Sequence, residues 1–99
     1  YMRGYPPLVN HEQEADIVRS VAGRVPSVTN VVEAEPHMGA EDFAYYLQRV
    51  PGAFFFTGAS DPDWDVAYPH HHPKFSFNEQ AMRIAAKMLG AVALTFLGK

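Results

Sequence analysis

The sequence predicts an α/β fold, a βαβ unit with a C-terminal helix laid on its sheet. Three observations carry that expectation. Helical and strand-like segments alternate along the chain. Two apolar stretches, "SVTNVVEAE" and "AFFFTG", are short and rich in β-branched or aromatic residues. The last apolar stretch, "FSFNEQAMRIAAKMLGAVALTFLG", carries apolar residues at helical spacing.

The elements follow in order. In "YPPLVNHEQEADIVRSVAGRVP", Asn10 is placed to cap a helix with Gln13 reaching back, and Ile17, Val18 and Val21 form one apolar stripe that stops near Gly23. Residues 27–35 then read as a strand that Pro36 ends. "MGAEDFAYYLQRVPG" reads as a helix that opens on Glu41 and Asp42, where carboxylates meet the positive helix end, and closes before Pro51. "AFFFTG" is the second strand, and a loop rich in Asp, Pro and His runs from Ala59 to Pro73. Ser76 and Glu79 stand in capping-box spacing at the head of the last helix, whose buried stripe is Ile84, Ala85, Met88 and Val92.

Composition narrows the chemistry. The chain has 99 residues, 47% of them hydrophobic and 19% charged, which fits one globular domain with a small core. Its formal charge of -3 offers no basic excess for phosphates, so nucleic acid is not an expected partner. With no cysteine, neither disulfides nor thiolate metal sites can form. The apolar run "MLGAVALTFLG" is too short to span a bilayer and no signal peptide is visible, so a soluble, cytoplasmic protein without a membrane partner is expected.

The long loop leaves the end of a strand, where ligands tend to bind in open α/β sheets. It contains "YPHHHPKF". Pro69 and Pro73 bias His70, His71 and His72 toward an extended run, with His71 pointing to the opposite face from its neighbours. A catalytic zinc takes about three protein ligands from different directions. Three consecutive residues cannot converge that way, so one or two of them at most bind one metal. A solvated loop or a tag scar are the other readings of the triplet, although a tag is not normally internal and flanked by prolines.

Three separated stretches, "GYPPLVN", "MGAEDFAYYLQRVPGAFFFTGA" and "HHPKFSFNEQA", resemble the C-terminal part of the M20 family of metal-dependent amidohydrolases and peptidases. The nearest branch holds N-acyl-amino-acid amidohydrolases, hippurate hydrolases and auxin-conjugate hydrolases. The resemblance implies that residues 1–99 are a C-terminal segment of the catalytic domain, part of an α/β/α sandwich. The lid or dimerisation domain and the N-terminal catalytic half would then lie outside it. It implies two divalent metal ions (Zn, Mn, Co or Ni) in the intact enzyme, a small N-acyl amino acid substrate, and a homodimer formed through the lid. It places the last metal ligand at His71, with His70 and His72 flanking it.

The same resemblance sets "MGAEDF" against the active site, so that Gly39 and Glu41 are candidate substrate-binding residues; the family usually has Ser where Ala40 stands. Read from the residues alone, the two acids are first-turn helix carboxylates and Gly39 permits a turn. No catalytic residue is expected in this segment, because the family's general base is a glutamate of a Glu-Glu pair and its cysteine-histidine ligands lie in a "CGHD"-like element. Neither motif occurs here. An M20 carboxypeptidase acting on peptides and a non-catalytic α/β module that binds a metal or partner are the rival readings. His37 and His11 read as solvated, and Asp61, Asp63 and Asp65 alternate like part of a calcium loop without its Gly and closing Glu.

Overall fold

The computed structural model describes residues 1–99, with three helices: α1 (Glu12–Ala22), α2 (Phe43–Leu47) and α3 (Gln80–Phe96). Helices α1 and α3 pack on each other and make the core. Val21, Ala22 and Met88 are its buried centre, and Ile17, Val18, Ile84, Ala91 and Val92 close around them. Both predicted apolar stripes therefore face one another, with Ala85 half-buried beside them.

Helix boundaries depart from the capping boxes read in the sequence. Neither α1 nor α3 has a side-chain cap from its N-cap residue, which is His11 for α1 and Glu79 for α3. Asn10 instead grips the backbone of Phe54, donating through Nδ2 to its carbonyl at 2.9 Å and accepting its N–H at Oδ1 at 2.7 Å. A side-chain cap is worth about 1 kcal/mol, whereas each of these two bonds contributes about 0.5–1.5 kcal/mol. Clipping the distant segment wins. His11 reinforces the clip, donating its own N–H to the Gly52 carbonyl at 3.0 Å and accepting the Gly52 N–H at Nδ1 at 3.1 Å. It is thus a half-buried tie between segments, not the solvated histidine expected.

Asn78 performs the corresponding task for α3. Its amide N–H donates to the Ala59 carbonyl at 2.7 Å, and its Oδ1 accepts the Gln80 N–H at 3.0 Å. The helix therefore starts four residues after Ser76. It ends in a Schellman motif, with Lys99 N–H reaching the Leu94 carbonyl, Gly98 N–H the Thr95 carbonyl, and Gly98 at φ 72°. Helix α2 is far shorter than the segment read as helical. Pro51 accounts for its end, because a proline ring clashes with the carbonyl four residues back, here Leu47. At its start, Glu41 captures the Phe43 N–H through Oε1 at 3.1 Å.

Residues 27–35 and 53–58, read as strands, form no ladder with each other or with anything else in the chain. Strand pairing needs a partner edge. The second segment nevertheless alternates. Phe55 packs on the α1–α3 core, while Phe54 and Phe56 contact each other at 5.3 Å between centroids and reach Phe43 and His37 respectively, each at 5.6 Å. Successive side chains serve opposite sides, as on a pleated strand. The first segment contributes Val28 to the core and is entered by a turn in which Val28 N–H donates to the Val25 carbonyl at 3.2 Å. Pro26 and Ser27, the latter at φ 80°, fill its central positions in the type II pattern. The exposed Arg19–Glu33 pair at 3.3 Å adds at most about 1 kcal/mol to this junction.

Much of the molecule is surface. Only five residues are buried. The accessible area is 8528 Å², against about 5,600 Å² for a compact monomer of this size. The radius of gyration is 15.3 Å, against roughly 13 Å for a compact domain. The chain forms a slab of 47 × 40 × 18 Å. No helix is long and apolar enough to cross a membrane.

Candidate metal centre

The loop before α3 is fixed by Asp61 and Asn78. Asp61 accepts the Asp63 N–H at Oδ1 at 3.0 Å and the Asn78 Nδ2 at Oδ2, also at 3.0 Å. Its carboxylate is therefore committed to loop structure, which leaves the Asp61, Asp63, Asp65 alternation without a ligand set.

The histidines occupy two consecutive turns, not the extended run their prolines suggested. His72 N–H donates to the Pro69 carbonyl at 3.2 Å, and His71 sits at φ 69° in the third position, a type II pattern. Phe75 N–H then donates to the His72 carbonyl at 2.9 Å, with Pro73 in the second position where its fixed φ suits a turn. Proline neighbours restrict backbone choice, but they do not forbid the left-handed region at His71. A non-glycine residue there costs roughly 1–2 kcal/mol, and histidine is among the residues enriched in it.

The turns give the three rings different environments. His70 packs on Phe75 at 4.6 Å between centroids. His72 stacks on Tyr68 at 4.4 Å and 17° between planes, and its Nδ1 accepts the Lys74 N–H at 3.0 Å. Lys74 Nζ stands 5.9 Å from the Tyr68 ring centroid. His71 is exposed at the turn apex, and its imidazole has neither a hydrogen bond nor an aromatic neighbour. The separation of His71 expected from an extended run does not arise that way; the turn sets its ring apart from the two stacked ones.

No group of three or more His, Cys, Asp or Glu is placed to hold a metal ion. One free imidazole on a constrained turn fits one position of a coordination sphere and no more.

The "MGAEDF" segment is separate. Gly39 is exposed and outside the left-handed region, so no turn demands glycine there, and a Cβ would approach only the exposed His37 ring, at 3.3 Å from Cδ2. His37 packs against Phe56. Because Glu41 occupies the Phe43 amide, and α2 has only five residues, the head of α2 offers no open anion-binding helix end.

Residues 1–95 match peptidase family M20/M25/M40. The chain belongs to that family. Among family relatives, a Bacillus subtilis (strain 168) protein named as an amidohydrolase is 51% identical over 96 residues, which are 97% of this chain and 24% of the relative. Thermostable carboxypeptidase 1 of Saccharolobus solfataricus is 36% identical over 95 residues, 96% of this chain and 23% of that protein. N-acetyl-L-cysteine deacetylase of Bacillus subtilis (strain 168) is 39% identical over 87 residues, 87% of this chain and 19% of that protein. The chain thus spans about a quarter of the length of the first two of these relatives. No solved structure matches it significantly. The M20 segment matched here contains Gly39, Glu41 and the whole histidine turn.

Proposed function

We propose that this chain is the C-terminal segment of the catalytic domain of a metal-dependent amidohydrolase that cleaves the amide bond of N-acyl amino acids or related conjugates. The observation that carries the reading is His71, an unengaged imidazole held at a turn apex within an M20 match. Relatives named as an amidohydrolase and an N-acetyl-L-cysteine deacetylase support the substrate class. Carboxypeptidase action on peptides is the second reading, favoured by the Saccharolobus relative.

Two divalent ions, when bound, supply Lewis-acid activation of the amide carbonyl and of water. His71 contributes one ligand to them. Neighbouring His70 and His72 are held by stacking on Phe75 and Tyr68, away from the turn apex that His71 occupies. Gly39 and Glu41 remain proposed substrate neighbours, Gly39 by leaving its backbone open to approach and Glu41 by fixing the start of α2. The remaining ligands and the general base come from outside these residues.

The fold proposed for the whole domain is the α/β/α sandwich. The alternation of Phe54, Phe55 and Phe56 supports it, since it gives residues 53–58 two faces ready for a sheet with helices on each side. Turnover of N-acyl amino acids and of peptides by the intact protein tests the activity. We expect hydrolysis of the acyl amino acid, lost on chelation and restored by a divalent ion. Activity unchanged by chelation would refute the metal reading, and a marked preference for peptides would favour the carboxypeptidase.

A further inference from the structure

We propose that His72 is a positioning residue, whose Nδ1 sets the turn that presents His71. The inference rests on His71 being a metal ligand. His72 belongs to both turns: its N–H closes the first on Pro69, and its carbonyl closes the second by accepting from Phe75. Its imidazole adds a third tie, since Nδ1 accepts the Lys74 N–H at 3.0 Å. That contact has the geometry of an Asx turn, in which a side-chain acceptor takes the N–H two residues on.

The consequence falls on His71. It holds φ 69°, a conformation that persists in a non-glycine residue only when its surroundings over-determine it. On the C-terminal side, those surroundings are the His72 ties. Tyr68, stacked on the His72 ring, restricts the same imidazole from its other side. Without the Nδ1 acceptor, the Lys74 N–H loses its partner and the second turn keeps only its backbone bond. His71 would then sample the commoner negative-φ regions, which aim its ring elsewhere. His72 acts through the direction of its neighbour's side chain, and it touches neither metal nor substrate.

Two substitutions separate the acceptor from the stack. Asparagine at position 72 places Oδ1 where Nδ1 lies and can accept the Lys74 N–H, but it removes the aromatic face. Phenylalanine keeps a ring for Tyr68 and removes the acceptor. The experiment uses the intact protein, with zinc affinity measured by competition against a chromogenic chelator, apo-protein melting as a check on folding, and kcat and KM measured alongside. His72→Ala and His72→Phe are expected to weaken zinc binding about 10–100-fold, the usual effect of removing a group that orients a ligand, with little change in apo melting. His72→Asn should stay near the unsubstituted protein. Losses as large in His72→Asn as in His72→Ala, or full affinity in His72→Phe, would overturn the acceptor role. His71→Ala, measured in parallel, keeps the two claims apart: full zinc affinity there refutes the ligand assignment itself, while loss there with none at His72→Ala refutes only the positioning.

Discussion

Replacing His71 by alanine in the intact protein is expected to remove most of one metal equivalent and to lower turnover by several orders of magnitude. His70→Ala and His72→Ala should cost far less. The ranking follows from how each ring is held. Stacking fixes the His70 and His72 rings on Phe75 and Tyr68, and His72 Nδ1 already accepts the Lys74 N–H, whereas His71 stands exposed at a turn apex with no neighbour on its ring. Removing it leaves an ion one ligand short, which an open catalytic site does not tolerate because its remaining position is reserved for water or substrate. Metal content by elemental analysis, with kinetics on all three variants, checks the ranking. Equal losses at the three positions would mean that the loop acts as a whole and that His71 has no special part.

The second large effect concerns residues 1–99 produced alone. They are expected to hydrolyse no N-acyl amino acid, to bind zinc weakly, and to self-associate or melt without strong cooperativity. One imidazole cannot build a catalytic site, and the chain assembles no group of three ligand side chains. Stability follows from the surface. With five buried residues and an accessible area about one and a half times that of a compact monomer, most of the apolar side chains are uncovered. Tyr46, Phe56, Leu89 and Phe96 are each more than 60% exposed. Exposed apolar surface on this scale invites association, and residues 53–58 offer strand-like backbone that no ladder pairs. Sedimentation and calorimetry on the isolated chain test this. A monomer with a sharp two-state melt, hydrolysing an acyl amino acid in proportion to bound metal, would contradict it.

Legibility in the sequence followed the range of the interactions. The stripes of α1 and α3 were readable because a 3.6-residue period is written locally, and Val21 and Met88 are where it places them. The caps were not. Asn10 is a good capping residue by type, but its side chain goes to Phe54, 44 positions away, and nothing in residues 10–13 records that partner. Asn78 likewise takes over from Ser76 because Asp61 and Ala59 meet it from the preceding loop. For α2, Pro51 did announce the end, but its clash reaches back to Leu47 and shortens the helix by a turn.

At the histidines, the residue types were informative and the backbone was not. Pro69 and Pro73 argued for an extended run, yet two reverse turns form because the Tyr68–His72 and His70–Phe75 stacks fold the loop back on itself. His71 stood apart under either geometry. The two strand segments show the opposite situation. Their composition and the phenylalanine alternation are strand-like, yet no ladder forms among these residues.

The most direct measurement of the central claim is anomalous scattering at the zinc edge from crystals of the zinc-loaded intact protein. We expect a peak about 2.0–2.1 Å from an imidazole nitrogen of His71, with no peak at His70 or His72 and the remaining ligands drawn from residues outside positions 1–99. A peak bound through His70 or His72, or metal positions that leave His71 in solvent, would contradict it.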